Sequence, residues 1–370
     1  MASPPPYTSS QKENGDKAEP LNVLVFGPTG AGKSTIINLL TDNSANLAIG
    51  EGLKSCTERM SRATLPRIHK GRKFTFFDTP GFDDTKMAPA QQLLKLAHGL
   101  DKLNTEHSRK PHIHGVIYVH RITDNRMKGS AVDAIRVFEK LIGEDMFDHV
   151  VILTNMWDNP PDEAHKRYED ELAKEEEFFG KLINAGANAG GRYRIVKGST
   201  AEQAQSALLD VFVKRPSKIA QIQTEMQKHG VKLGSTSAGR AVRNTVSSMR
   251  KDLEDELKDL REYYSEFPSK DPIEQDRMNQ AIQDLETKLA ALFIQEKLLE
   301  LSKSWMIWVI WTAATTGAAM AEVVGMISIS ACSGACVVGA AAPAIGALTV
   351  AGATLVYGGI KSFSKWIWNA

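Results

Sequence analysis

Cysteine is scarce in this chain. The three in 370 residues, Cys56, Cys332 and Cys336, cannot build a disulfide framework. No charged-then-apolar leader opens the sequence, so a reducing, cytosol-facing location is the expectation. An excess of one charge is missing too: 45 basic against 44 acidic residues leave a net +1, which gives no general pull toward nucleic acid and excludes it as an expected partner. Near the C-terminus charge of either sign disappears. Between Ser304 and Ile360 the only charged residue is Glu322, a run too long and too apolar for a surface helix.

The length of 370 residues exceeds one ordinary domain, so about two are expected. Residues 1–20, with Pro4-Pro5-Pro6, Ser9-Ser10 and mixed charges, lack apolar periodicity and read as a disordered arm. From 21 to 213 short apolar runs alternate with longer mixed segments, the pattern of an α/β domain with a mainly parallel sheet and helices on both faces. Strands are predicted at Leu21 to Phe26, Lys73 to Phe77, Gly115 to His120, Val150 to Thr154 and Arg194 to Val196.

Between the first strand and Ile36-Ile37-Asn38-Leu39-Leu40 lies Gly27-Pro28-Thr29-Gly30-Ala31-Gly32-Lys33-Ser34-Thr35. This is a complete phosphate-binding loop in its required setting. Glycines let successive N–H groups wrap the phosphates, and the following helix adds its N-terminal partial positive charge. Gly27, Thr29, Gly30, Ala31, Gly32, Lys33, Ser34 and Thr35 are therefore the expected phosphate contacts, with the Lys33 ammonium on the β and γ phosphates and the Ser34 hydroxyl on Mg2+. Asp78-Thr79-Pro80-Gly81 follows the second strand: Asp78 is placed for the metal and the Gly81 N–H for the γ-phosphate, a spacing that marks guanine-nucleotide switches. Between the two motifs, Lys54-Ser55-Cys56-Thr57-Glu58 offers Thr57 as a second hydroxyl ligand to Mg2+ on a loop that lets go after hydrolysis, with an ordinary polar loop as the alternative.

Asn155-Met156-Trp157-Asp158 suits a guanine reader, because the Asp158 carboxylate can accept from both N1–H and the exocyclic amine, which adenine does not offer together. The usual lysine after the asparagine is Met156. Lys197-Gly198-Ser199 stands where a further base-contacting loop is expected, with Gly198 the candidate. Phe82 follows Gly81 in place of the glutamine that positions water in Ras-like switches. Slow hydrolysis is therefore expected, with the missing group supplied by a partner or a second copy of the chain. His120, Arg121 and Arg126, with His112 and His114 before the strand, are the candidates, Arg126 foremost. A solvated basic loop explains the same residues.

Two long amphipathic helices are predicted within 214–303. Val242, Val246, Met249, Leu253, Leu257, Leu260 and Tyr264 step by three or four, and after a break at Phe267-Pro268-Ser269 so do Met278, Ile282, Leu285, Leu289 and Leu292. A hairpin packed on itself or on the α/β domain and an intermolecular coiled coil both fit. Residues 304–370 read as an apolar helical hairpin. Trp305, Trp308 and Trp311 flank it at one end, with Tyr357, Phe363, Trp366, Trp368, Lys361 and Lys365 at the other, as bilayer-interface anchors would. A buried hairpin inside a helical domain is the competing interpretation, favoured by Glu322.

GPTGAGKST, SCT, DTPG, HRITDNRMKGS (120–130) and TNMWD together resemble the septin-like GTPases of the immunity-associated and chloroplast-import-receptor branch, in particular fungal proteins with an AIG-type G domain. The resemblance covers Leu21 to Leu209, and 120–130 is its most distinctive part. It implies a P-loop G domain of the translation-factor-like class that takes GTP and GDP with Mg2+, hydrolyses slowly and self-associates as a homodimer. A C-terminal helical extension and membrane anchor often accompany such domains.

Overall fold

Strand β1 (Leu21–Phe26) is buried along its whole length, as a near-continuous apolar run between two neighbours requires. Its side chains alternate between two cores: Leu24 and Phe26 on one face of the sheet, Leu21, Val23 and Val25 on the other. The computed structural model describes residues 19–48, 60–81, 88–124, 127, 129–158, 160–267, 271–304, 306–307 and 309–310. Among them, β1 is followed by α1 (Lys33–Leu40), β2 (Ser61–Thr64), β3 (Phe74–Asp78), α2 (Pro89–Glu106), β4 (Ile113–Arg121) and α3 (Gly129–Ile142). Then come β5 (Val150–Trp157), α4 (Glu163–Lys174), α5 (Gly180–Asn184), β6 (Tyr193–Val196), α6 (Ala201–Leu209), α7 (Gln221–Glu225), α8 (Ser237–Glu266) and α9 (Pro272–Leu299).

The strands form one six-stranded sheet in the order β2-β3-β1-β4-β5-β6. All pairs are parallel except β2 with β3. The chain order reverses beside β1, and the loops leaving the C-terminal ends of β1 and β3 open on that crevice. The five strands expected from sequence are present. β5 runs three residues past its predicted end, so Asn155-Met156-Trp157-Asp158 begins inside the strand rather than after it. Strand β2 was not expected: of Ser61-Arg62-Ala63-Thr64 only Ala63 is buried, and a polar edge strand of four residues carries almost no apolar signal.

Helices α1 and α6 cover one face through Ile36, Ile37, Leu40, Ala204, Leu208 and Leu209. The other face is covered by α2, α3, α4 and α5. Onto α2 and α3 docks a hairpin of α8 and α9. The Thr236 hydroxyl caps α8 by accepting from the Gly239 amide at 3.0 Å, and Asp271 caps α9 through the Ile273 amide at 2.9 Å, with Pro272 in the first turn. Ala238, Val242, Val246, Leu298 and Leu299 belong to the same buried cluster as Leu93, Leu100 and Phe138. Within the chain the two helices thus pair with each other and with the α/β core. Ion pairs Arg250–Glu296 at 2.9 Å and Arg261–Glu286 at 2.5 Å tie the helices farther out. Met249, placed on the apolar seam by its spacing, is 47% exposed.

Beyond α9 the chain returns to α2. Met306 and Val309 enter the main core, and Lys303 Nζ pairs with Asp101 Oδ1 at 2.6 Å. Among the described residues no helix is long and apolar enough to cross a membrane. The expected apolar hairpin from Trp305 to Ile360 lies almost wholly outside them, as do residues 1–18 of the N-terminal arm.

Candidate functional site

Helix α1 starts at Gly32, whose φ of 93° is left-handed, and no side chain caps it. The N-terminus of this helix therefore faces the loop, the arrangement that suits an anion. Lys33 folds back over the loop: Nζ donates to the Gly27 carbonyl at 3.0 Å and the Pro28 carbonyl at 2.8 Å. Those bonds hold the ammonium against the backbone of the loop, in a residue only 7% exposed. Gly27 itself passes β4 so closely that a Cβ there would meet the Val119 carbonyl oxygen at 2.2 Å. Of the remaining loop positions, Gly30 and Thr35 are exposed, Thr29 is half-buried and Ala31 is buried.

At the end of β3, Asp78 is 2% exposed and its Oδ2 accepts from the Ser34 hydroxyl at 2.6 Å. Thr79 pins this strand end to β1, its hydroxyl donating to the Val25 carbonyl at 2.8 Å. Gly81 then lies directly on the phosphate loop: a Cβ built on it would stand 2.3 Å from Thr29 Oγ1 and 2.6 Å from Thr29 N. The glycine-rich loop and the Asp78 to Gly81 motif thus meet at one end of the sheet. A buried carboxylate beside a hydroxyl is a hard-oxygen donor pair, and it fits Mg2+, which takes one or two protein oxygens and fills its octahedron with phosphate and water.

The base-reading motif reaches the same loop from β5. Asn155 Nδ2 donates to the Ala31 carbonyl at 3.0 Å, so the asparagine braces the phosphate loop from the side. The backbone turns at Met156, whose φ is 63°, and its side chain is exposed beside Gly32. Asp158 is exposed next to it. The 197–199 loop is tied to this segment by the Lys197 amide, which donates to the Trp157 carbonyl at 3.0 Å. Gly198 has a φ of 86° and open space around its α-carbon. Asn155, Met156, Asp158 and 197–199 thus lie together on the β5 side of the loop that precedes α1.

The histidines expected as charge donors lie elsewhere. His120 is 3% exposed, its ring against Phe179 at 5.6 Å. Burial pushes its pKa down to about 4, and the nearby Arg121 adds to the depression while Asp124 opposes it. It points into the core under α4 and α5, because the period of two in β4 puts it on the face shared with Tyr118. His112 and His114 sit at the opposite end of the sheet, where the Asn22 amide donates to His114 Nδ1 at 3.1 Å. Burial, then Arg72, lowers the His114 pKa to about 4. Arg121 is the exception: its guanidinium is held by Asp124 and comes within 3.9 Å of a Cβ built on Gly30. Thr57, Phe82 and Arg126 lie outside the described residues.

Sequence reasoning passed over Glu169. On α4, His165, Glu169 and Leu172 recur at helical spacing on the inward side, and a carboxylate in that stripe was the available signal. Glu169 is 4% exposed and pairs with Arg194 of β6 behind the base-reading segment.

Residues 22–154 match the family model described as 50S ribosome-binding GTPase. These residues carry the α/β fold of a P-loop GTPase domain, with a mostly parallel sheet. The chain is 28% identical over 143 residues to Translocase of chloroplast 159 of Arabidopsis thaliana, a match over 38% of this chain and 9% of that protein. It is 36% identical over 75 residues to the small ribosomal subunit biogenesis GTPase RsgA of Variovorax paradoxus, over 19% of this chain and 24% of that one. The chain thus spans less than a quarter of either relative's length. Among solved structures, Toc33 of Arabidopsis thaliana with GDP and Mg2+ aligns at 17% identity and a TM-score of 0.40, over 54% of this chain and 87% of that chain. Aquifex aeolicus Era with GDP and AlF4− aligns at 14% and 0.35, over 56% and 63%.

Proposed function

We propose that this chain is a guanine-nucleotide switch that hydrolyses GTP to GDP and phosphate, slowly when alone and faster when two G domains meet. The observation that carries the reading is the brace between the phosphate loop and the guanine reader: Asn155 Nδ2 on the Ala31 carbonyl at 3.0 Å. It joins a phosphate cradle to a carboxylate, Asp158, able to accept two hydrogen bonds from guanine. The motif string further suggests kinship with septin-like GTPases of the immunity-associated and chloroplast-import-receptor type.

In this reading Lys33, aimed by the Gly27 and Pro28 carbonyls, neutralises the β and γ phosphates, and the loop amides bind their oxygens. Ser34, Asp78 and Thr57 would hold Mg2+, which would supply positive charge against that developing on the transferred phosphate. Gly81 presents its N–H to the γ-phosphate. With Phe82 in place of glutamine, no side chain at that position orients the attacking water, so a second protomer supplies the missing group, Arg126 being our choice. A GTP-holding scaffold without turnover is the alternative that Phe82 favours.

The charge-free run from Trp305 to Ile360, bordered by tryptophans and lysines, is where we place a membrane contact, with the G domain on the cytosolic side. In that reading Glu322 would face a partner helix or lie protonated rather than touch lipid. The full chain, loaded with GTP or ATP in Mg2+, tests the whole reading. GTP should bind in preference to ATP, and turnover per chain should rise from nanomolar to high micromolar protein. Equal affinities would remove the guanine assignment. A flat, near-zero turnover would leave the scaffold.

A further inference from the structure

Around the base reader the strand ladder is out of step. Leu153 and Thr154 of β5 pair with Tyr193 and Arg194, but the next pair is Trp157 with Val196. Three steps on β5 are matched by two on β6, which is a bulge at Asn155-Met156. Met156 takes the left-handed φ of 63°, a conformation that costs a non-glycine side chain and persists only where its surroundings impose it. The bulge turns Asn155 onto the phosphate loop and sets the direction in which Asp158 leaves the strand.

Against the bulge, beneath α4, lies a closed ring of four side chains. Trp157 Nε1 donates to Thr154 Oγ1 at 3.0 Å, joining the two ends of the bulge. The Thr154 hydroxyl donates in turn to Glu169 Oε1 at 2.7 Å. Arg194 Nε donates to Glu169 Oε2 at 2.9 Å, and the Arg194 guanidinium lies over the Trp157 ring at 4.6 Å from its centroid. Held this way, the indole cannot rotate without breaking a hydrogen bond and a cation–π contact together. To fasten α4 to the sheet a leucine would serve, as Leu172 does three residues later. A carboxylate 4% exposed is a costly substitute for apolar packing. What it adds is direction.

We infer that Glu169 is the positioning residue for base recognition: through Thr154, Arg194 and Trp157 it fixes the bulge that presents Asp158 to the guanine edge. The inference rests on the guanine-reading assignment made above. It separates the two parts of nucleotide affinity. Phosphate binding depends on α1 and the loop, which Glu169 does not touch, whereas recognition of the guanine 2-amine depends on where Asp158 points.

The test compares GDP with IDP, which lacks the 2-amine, on the full chain in Mg2+, with a thermal melt of each variant. Glu169→Gln should lower the GDP-to-IDP affinity ratio by about tenfold, the worth of one hydrogen bond to a charged group, IDP, which offers Asp158 only its N1–H, losing less affinity than GDP. Thr154→Val breaks the ring without disturbing the Glu169–Arg194 pair and should reduce the ratio in the same sense. The inference is overturned if either folded variant keeps the ratio, or if GDP and IDP affinities fall in parallel, as a general loosening would make them. Asp158→Ala separates the two levels. If it collapses the ratio while Glu169→Gln does not, only the positioning role falls; if it leaves the ratio intact, the guanine assignment falls and this inference with it.

Discussion

Replacing Gly81 by alanine tests the contact that couples the end of β3 to the phosphate loop. A Cβ at this position would lie 2.3 Å from Thr29 Oγ1, 2.6 Å from Thr29 N and 2.8 Å from Thr29 Cα. Gly81 is not among the residues with a positive φ, so alanine meets no backbone strain of its own and the whole cost is steric. Rotating the threonine hydroxyl relieves the first distance but not the other two, which are to backbone. Restoring an ordinary contact of about 3.4 Å requires a shift of roughly 0.8 Å between the two loops, and overpacking of that size typically costs about 1–3 kcal/mol. Two paths divide that cost. Either the folded protein carries it and melts earlier, or the loop moves off Gly81 and the cost reappears when nucleotide restores the bound geometry. The second path corresponds to a loss of about 5- to 150-fold in affinity. Calorimetric titration with GDP and Mg2+, set beside a thermal melt, reads both halves, and their sum should fall within the estimated interval. A variant with unchanged melting temperature and unchanged affinity would refute the reasoning, since the two backbones could not then be in contact.

Three further outcomes follow from the same structure. Lys33→Ala should abolish tight binding of GTP and GDP alike, because the phosphates lose the ammonium aimed by the Gly27 and Pro28 carbonyls; equilibrium binding of a fluorescent nucleotide reads the loss, and unchanged affinity would remove the phosphate-loop assignment. His120, with its pKa depressed to about 4 by burial, stays neutral when folded while the unfolded chain takes up a proton below about 6.5. Stability should therefore be unaffected above that value and fall by up to about 1.4 kcal/mol per pH unit down to the folded pKa, so His120→Phe should remove about 2 kcal/mol of the loss between pH 7 and pH 5 in urea titrations. At the return of the chain to α2, the Asp101 side chain is 10% exposed and that of Lys303 30%, so Lys303→Met, which strands the more buried carboxylate, should destabilise by about 2 kcal/mol and exceed Asp101→Asn, whose lysine can turn to solvent; hydrogen exchange of 298–310 should quicken in the same order.

The parts of this molecule that were legible in the sequence are those whose cause is local. The phosphate loop needs glycines at fixed spacing between a strand and a helix, and the chain writes those in one uninterrupted run from Gly27 to Thr35. Central strands declare themselves through apolar runs, and the break between α8 and α9 through Phe267-Pro268-Ser269. What escaped is decided between elements distant in the chain. The polar strand β2 exists only because β3 offers it an edge. His120 lost its expected place at the phosphates to the alternation of β4, which assigns it to the buried face with Tyr118; nothing in the local string His120-Arg121 tells which of the two points inward. The antiparallel pairing of α8 with α9 could be read as either a hairpin or a coiled coil until α2 and α3 supplied the surface that receives its base. Glu169 is the sharpest case. Its neighbours on α4 give it an ordinary helical phase, and Thr154 and Arg194 look like unremarkable strand residues. They acquire a shared task only when α4 lies back across β5 and β6 and the ladder slips by one residue. A side-chain ring made of three separate segments leaves no motif in any one of them, which is why the proposed reader, Asn155 to Asp158, stands in the sequence as a motif while the ring beside it does not.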